Sequence, residues 1–226
     1  MYKFWTVRCL QFTAIFFIFG VTVSSLFYPG GNIHNPEQIG YSITHNFLSD
    51  LGGYKSHSGE VNFISSFFFN LSMFFFLIVG IAFVFVPNLF KEDLINYVLA
   101  ICGSFFFLFG TIFFAAVGLT PHDLYRELHI FFSINAFRFL IPGSFFYLIV
   151  LFRSPVQNKY SYFTIFFLIS VISYVVYQMS GNNPMDNQEG MIEQASIQKL
   201  IALASVVNIF SLSFAFSSQL KNTKFY

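Results

Sequence analysis

The amino-acid sequence predicts an all-α integral membrane protein: one bundle of six transmembrane helices with a long first extracytoplasmic loop. Three observations carry that reading. Only 9% of the 226 residues are charged and 56% are hydrophobic, whereas a soluble domain has about a quarter of its residues charged. Six apolar runs each approach the roughly 20 residues that a bilayer-crossing helix needs. All five histidines, and all of the ten acidic residues except Glu92 and Asp93, fall in three of the connections between those runs.

The expected spans are 10–28, 61–86, 94–119, 130–152, 162–179 and 200–217. The first follows Lys3 and Arg8 and so resembles a secretory signal. Its apolar stretch is longer than a signal core of about 7–15 residues, and Leu26 and Phe27 follow Ser24 and Ser25 where a cleavage site would need small residues, so it reads as a retained helix. The chain contains 37 phenylalanines, read here as lipid-facing filler. Nothing in the sequence divides it, and residues 1–226 are expected to form a single membrane domain.

Lysine and arginine set the orientation, because short cytoplasmic loops are enriched in them. With the N-terminus in the cytoplasm, that side carries Lys3, Arg8, Lys91, Arg153, Lys159, Lys221 and Lys224, against Lys55, Arg126 and Lys199 on the other. The expectation is therefore a multi-pass cell-membrane protein with both termini cytoplasmic and the histidine-bearing loops outside. A formal net charge of +1 and the lack of a basic run argue against nucleic acid as a partner. Cys9 and Cys102 both lie in apolar segments, which leaves neither a disulfide framework nor a zinc motif.

The first outer loop, 29–60, is too long for a mere connector and contains Ile33, Ile39, Ile43, Phe47, Leu48 and Leu51, so it is expected to fold back on the helix ends. Its segment His45-Asn46-Phe47-Leu48-Ser49-Asp50-Leu51-Gly52-Gly53 reads as a short amphipathic turn ended by glycine. Asp50 there has two structural roles open to it, capping backbone N–H groups or pairing with an arginine. The functional alternative makes His45 and Asp50 half of a polar site.

The second outer connection reads Thr120-Pro121-His122-Asp123-Leu124-Tyr125-Arg126-Glu127-Leu128-His129. Thr120 is placed to cap a helix with Pro121 in its first turn. His122, Arg126 and His129 would then share a face. Histidines and carboxylates so close together could bind zinc. The spacing is not His-Glu-x-x-His, however, and two helical turns put His122 and His129 about 10 Å apart, so one ion would need a ligand from elsewhere. A capped helix entry with a surface ion pair is the structural alternative. The last outer loop, with Asn182, Asn183, Asp186, Gln188, Glu189 and Glu193, fails the calcium-loop pattern and reads as a solvated turn before a helix starting near Gln188, with Glu189 and Glu193 facing Arg126.

Within the spans, Asn62, Ser66 and Asn70 share a face of the second helix, Asn135 and Arg138 are neighbours on the fourth, and Ser205 and Asn208 on the sixth. An arginine is costly against lipid, so Arg138 is expected to turn inward to carbonyls, asparagines or an anionic lipid headgroup.

The order Asn46-x-x-Ser49-Asp50-Leu51-Gly52, then Asn70, then Gly118-x-x-Pro121-x-Asp123 and His129, resembles a bacterial and archaeal family of multi-span membrane proteins known only as domain of unknown function nine hundred and ninety-eight. The Ser-Asp-x-Gly element and the later His-bearing helix are similar to the eukaryotic family of the autophagy modulator DRAM and the FGF-receptor-activating protein. The resemblance covers roughly residues 10–217. It brings no settled activity, although GPI-lipid remodelling by some eukaryotic relatives implies lipids as partners. Membrane hydrolases related to alkaline ceramidases and adiponectin receptors carry a late His-x-x-x-His pair, which this chain lacks. Ser49 has no nucleophile-elbow glycines, and no histidines face each other in mid-span to hold haem.

These features point to an extracytoplasmic His/Asp/Arg pocket that recognises or processes a lipid headgroup. His45, Asp50, His122, Asp123 and His129 are the candidate acid/base residues, and Ser49, Asn70, Arg126 and Arg138 the candidate ligand-binding ones. The competing class is a non-catalytic scaffold or small-molecule carrier whose outer polar residues brace loops. Metal and cofactor content stay open. Because the second and third helices are antiparallel neighbours, Asp50 is expected to meet His122, Arg126 or His129.

Overall fold

The first span begins as a π-helical turn, Phe4–Cys9, that runs straight into α1 (Leu10–Phe27). Trp5 stacks on Phe85 at 5.3 Å between ring centroids and anchors this early start. The helix stops at Tyr28, which is extended because the ring of Pro29 excludes helical geometry from the residue before it. The computed structural model describes residues 1–180 and 183–222. Asn182 and Lys224, which entered the reading of the last outer loop and of the charge bias, lie outside the described residues.

The second span is not the single helix expected over 61–86. It divides into α2 (Phe63–Phe74) and α3 (Phe76–Phe85), followed by a 3₁₀ turn, Val86–Phe90, around Pro87. Neither proline nor glycine stands at the break. The Ser72 hydroxyl donates to the Phe68 carbonyl at 2.7 Å, a back-bond that bends helices, and the Ile78 N–H bonds Phe75, one residue short of the α-helical partner. Then follow α4 (Leu94–Leu119), α5 (Arg126–Arg153), α6 (Asn158–Ser180) and α7 (Gln188–Asn222). Six segments are long and apolar enough to cross a membrane, and the described residues contain no strand. The protein is therefore an all-α, six-span polytopic membrane protein.

The spans pack in chain order as a ring, each on the next, with α7 closing against α1 and α2 also reaching α4. Glycine lets α4 and α5 approach closely. A Cβ built on Gly103 would lie 2.7 Å from the Tyr147 ring, and one on Gly143 would lie 3.1 Å from Phe107. Small residues let membrane helices associate by packing where the hydrophobic effect cannot drive them together. The Ser104 and Tyr147 hydroxyls meet across this seam at 2.6 Å. Asp93 caps α4 by accepting from Ile95 and Asn96 N–H groups, and Arg153 at the end of α5 bonds both Asp93 and Asn96.

Phenylalanine does more than face lipid. Phe12, Phe19, Phe105 and Phe166 are exposed on the flanks, but Phe83, Phe107 and Phe216 are buried. Their rings pack edge and face around the fully buried Tyr147. Both thiols are free, Cys9 buried and Cys102 half-buried.

Three connections gather at one end of the ring. Asp123 accepts from the backbone of Tyr54 and Lys55, His34 meets the Pro184 carbonyl, and Gln198 accepts from the Leu48 N–H. Alternation of the spans puts Phe4 and Asn222 at the other end.

Replacing Gly103 by Val would drive a methyl group into the Tyr147 ring. Overpacking of this kind costs about 1–3 kcal/mol, so thermal unfolding in detergent should show a lowered midpoint for Gly103→Val. An unchanged midpoint would mean that the α4–α5 seam is looser than described.

Candidate functional site

The long connection between α1 and α2 folds back on the bundle as expected, held by side-chain amides. Leu51, Gly52 and Gly53 are buried in and just after a short 3₁₀ turn, Leu48–Gly52, and buried carbonyls need donors. Asn62 donates to Leu51 and Gly53, Ser65 to Leu51, and Asn70 to Gly52. The face of α2 that grips the turn is thus Asn62, Ser65 and Asn70. Ser66, expected on that face, bonds only the Phe63 carbonyl of its own helix.

Asn46 is the hub of the loop. It is fully buried, donates to the Gly31 carbonyl and to Asp50 Oδ2, and accepts from the Ser42 N–H and Gln38 Nε2. Gly31 must be glycine: its φ is +81°, and a Cβ would stand 2.3 Å from the Ser58 nitrogen.

Asp50 takes the capping role that the sequence left open to it, and it meets His57 in place of an arginine or His45. Its Oδ2 accepts from the Phe47 N–H at 2.9 Å, tying the start of the turn, as well as from Asn46. Its Oδ1 is left to His57 Nε2, 3.3 Å away. The two atoms form an ion pair when His57 carries its second ring proton. His122 Nδ1 is also buried without a hydrogen-bond partner. One donor atom each from Asp50, His57 and His122 lie within 4.8 Å of one another. The imidazoles of His57, His122 and His129 follow in series, with centroids 5.7 and 6.0 Å apart. His129 is buried, and its Nδ1 donates to the Thr120 carbonyl at 2.7 Å.

The electrostatics separate these groups. Burial works to raise the Asp50 carboxyl, but the approach of His57, the charge of His122 and the Asn46 amide together hold it below the ordinary carboxylate value. Burial works to lower His57, and the Asp50 contact and charge overcome it, so His57 is raised. In His122 burial prevails, helped by the neighbouring His57, and the ring is pushed below the usual imidazole value. Burial and the Asp50 charge push the phenols of Tyr28 and Tyr41 well up.

The remaining candidates sit around this cluster or apart from it. Asp123 braces the long loop through the Tyr54 and Lys55 N–H groups, with His57 and His122 within its field. Ser49 lines a cavity of about 70 Å³ beneath the turn, with Met73, Phe114 and Tyr174. Asn70 supports Gly52. His45 lies outside the cluster, its Nδ1 near the Thr44 and Ser42 hydroxyls.

Arg126 is exposed, and Asp50 pairs with His57 instead. The reason is local. Thr120 does not cap a helix but bonds back to the Ala116 carbonyl; residues 121–124 form a turn, and α5 starts only at Arg126. His122 is thereby turned toward Asp50 and Arg126 away from it. Glu193 lies beside Tyr177. Arg138, expected to turn inward beneath the pocket, is exposed on the flank of α5, on the side where Asn135 bonds Phe131. A long arginine side chain can there run toward the membrane surface.

Sequence reasoning passed over His57, Gln198 and Lys199. The turn that returns His57 was visible in Ser58-Gly59, where Gly59 takes a positive φ and bonds Ser56. Gln198 and Lys199 had no local signal. Lys199 Nζ donates to the carbonyls of Asn46 and Ala195 and lies 5.6 Å from the centre of the Tyr41 ring. No family model, curated protein or solved structure matches the chain.

Histidine-selective NMR on the detergent-solubilised protein should find His57 protonating above the free imidazole value of about 6.5 and His122 below it. Asp50→Asn removes the charge that raises both rings and leaves burial in place. His57 should then fall below that value, and His122 further still. A His57 that does not move would show that the ion pair is absent in solution.

Proposed function

We propose that this protein presents a polar site at the extracytoplasmic end of its bundle to the phosphate-bearing headgroup of a membrane lipid, in a cell membrane with both termini cytoplasmic. The observation that supports this reading is that one turn of α7 both grips the loop that carries Asp50 and His57 and borders a lipid-sized groove. Gln198 and Lys199 grip the loop at Leu48 and Asn46. Ile197 and Leu200, beside them, line an apolar groove of about 650 Å³ between α6 and α7, together with Phe163, Phe167 and Ala204. A groove of that size accommodates an acyl chain, whereas the cavity of about 70 Å³ under Ser49 has room for only two or so waters.

Charge supports a headgroup partner. Lys199 lies within the field of Asp50, Lys55 and Arg126 are exposed at this end, and His57 and His122 are tuned apart, one toward and one away from carrying a proton, as acid/base partners are. The bias of lysine and arginine in the short loops supports the orientation, and the resemblance to the two multi-span families, one with lipid-remodelling members, points the same way. A structural role for part of the loop is favoured by Asn46, Asn62 and Asp123, whose hydrogen bonds go chiefly to backbone and hold the loop whether or not a lipid binds.

Two measurements test this. Single cysteines replacing Lys55 and Lys159 should be labelled by a membrane-impermeant reagent from outside and from inside respectively; the reverse pattern would overturn the orientation. Short-chain phosphatidylglycerol titrated into the detergent-solubilised protein should shift the ring signals of His57 and His122 saturably, whereas an alkyl glucoside of equal chain length should not. Equal responses to both, or none to either, would remove the headgroup reading.

A further inference from the structure

We propose that Asp50, His57 and His122 form a binding site for one divalent first-row transition-metal ion, with zinc as the natural occupant. The donors converge from two separate connections, the long loop and the turn before α5, and their ligating atoms lie within 4.8 Å of one another. His57 Nε2 and His122 Nδ1 are each shielded from solvent without a hydrogen-bond partner, and the His122 ring also faces the Ser49 backbone. Buried polar atoms in folded proteins nearly always have a partner, and an ion placed between these two nitrogens and Asp50 Oδ1 satisfies them together.

The carboxylate is oriented for this. Asn46 Nδ2 and the Phe47 N–H hold Oδ2 at 3.0 and 2.9 Å, leaving Oδ1 aimed at the histidines. Hydrogen bonds of that kind, on the atom of a ligand that does not touch the metal, fix first-sphere geometry in metal sites. The position of His122 is equally constrained: a Cβ on Gly53 would stand 2.8 Å from its Cε1, so only glycine lets the ring approach the turn.

Two nitrogens and one oxygen suit zinc and its neighbours and exclude the all-oxygen preferences of calcium and magnesium. Zinc at about 2.0–2.2 Å from each donor, at tetrahedral angles, needs donors roughly 3.4 Å apart, so the widest separation would close by about an ångström through side-chain rotation. His129 stands outside the ligand set, its Nδ1 committed to Thr120. Three protein ligands leave one coordination position open, the pattern of zinc sites that act on a substrate. With one carboxylate and two neutral imidazoles the loaded site carries a single positive charge. Its open position would take an oxyanion such as a headgroup phosphate; in that sense the site deepens the headgroup reading, although metal binding itself does not depend on it.

The test uses the full chain in mild detergent, stripped with a chelator and titrated with zinc against a competing chromophoric chelator, with bound metal counted by mass spectrometry. One zinc per chain is expected, with affinity at least tenfold weaker in Asp50→Asn, His57→Ala and His122→Ala and unchanged in His45→Ala. Cobalt substitution reads the same site without any variant: it should give the visible bands of a four-coordinate ion and broaden the ring signals of His57 and His122 while His34 and His45 stay sharp. Failure to bind stoichiometric zinc, retention of full affinity by both histidine variants, or broadening centred on His34 or His45 would overturn the proposal. The two readings separate cleanly. Zinc bound at these residues with no response to phosphatidylglycerol supports the metal site and removes the headgroup, whereas lipid binding by a chain that takes up no zinc does the reverse.

Discussion

Burial of the Leu51–Gly53 backbone at the end of the bundle is the constraint on which the rest of the candidate site depends. A loop that enters a helix bundle takes its peptide carbonyls out of water, and each must find a donor. Here Asn62, Ser65 and Asn70 on α2 supply those donors. Once the turn is fixed there, Asp50 is necessarily buried, at 3% exposure, and a buried carboxylate must be paired and hydrogen-bonded to remain charged. Asn46, the Phe47 N–H and His57 meet that requirement. The histidines therefore converge on Asp50 because the anchored loop backbone places it there.

The cluster combines opposing electrostatic demands in a small volume. Asp50 favours charge on His57, while burial disfavours it on His122 beside it. Lys199 adds a cation whose hydrogen bonds go to backbone carbonyls and whose field reaches the same carboxylate. Asp123 holds the Tyr54–Lys55 backbone against the turn that carries His122. Structural and chemical roles are thus divided between atoms of single residues: in Asp50, one carboxylate oxygen builds the loop and the other faces the histidines.

Below this end the bundle is uneven. The α4–α5 seam is closed by glycines, the Ser104–Tyr147 contact and the Arg153–Asp93–Asn96 set, and it forms the rigid wall behind His122 and His129. On the other side α6 is the least buried span, and the groove between it and α7 opens along Phe163 and Leu200. The Asn208–Thr164 contact at 3.4 Å is one of the few polar ties there.

The sequence by itself determined the number of spans, the end at which polar residues gather, the return of the long loop onto the bundle, and the approach of Asp50 to the His122–His129 segment without choosing the residue it meets. Hydropathy and loop length are one-dimensional quantities, and the bilayer acts on them directly. Only the tertiary structure decided which histidine pairs with Asp50 and that Arg126 and Arg138 lie on the surface. Those outcomes depend on the azimuth of each side chain, and a delay of a few residues in the start of α5 exchanged Arg126 for His122. Ser65 in place of Ser66 on the gripping face follows from where the buried Leu51 carbonyl comes to rest. Gln198 and Lys199 lie about 150 residues from their partners Leu48 and Asn46, and no local pattern encodes a contact that exists only because the last span closes the ring against the first.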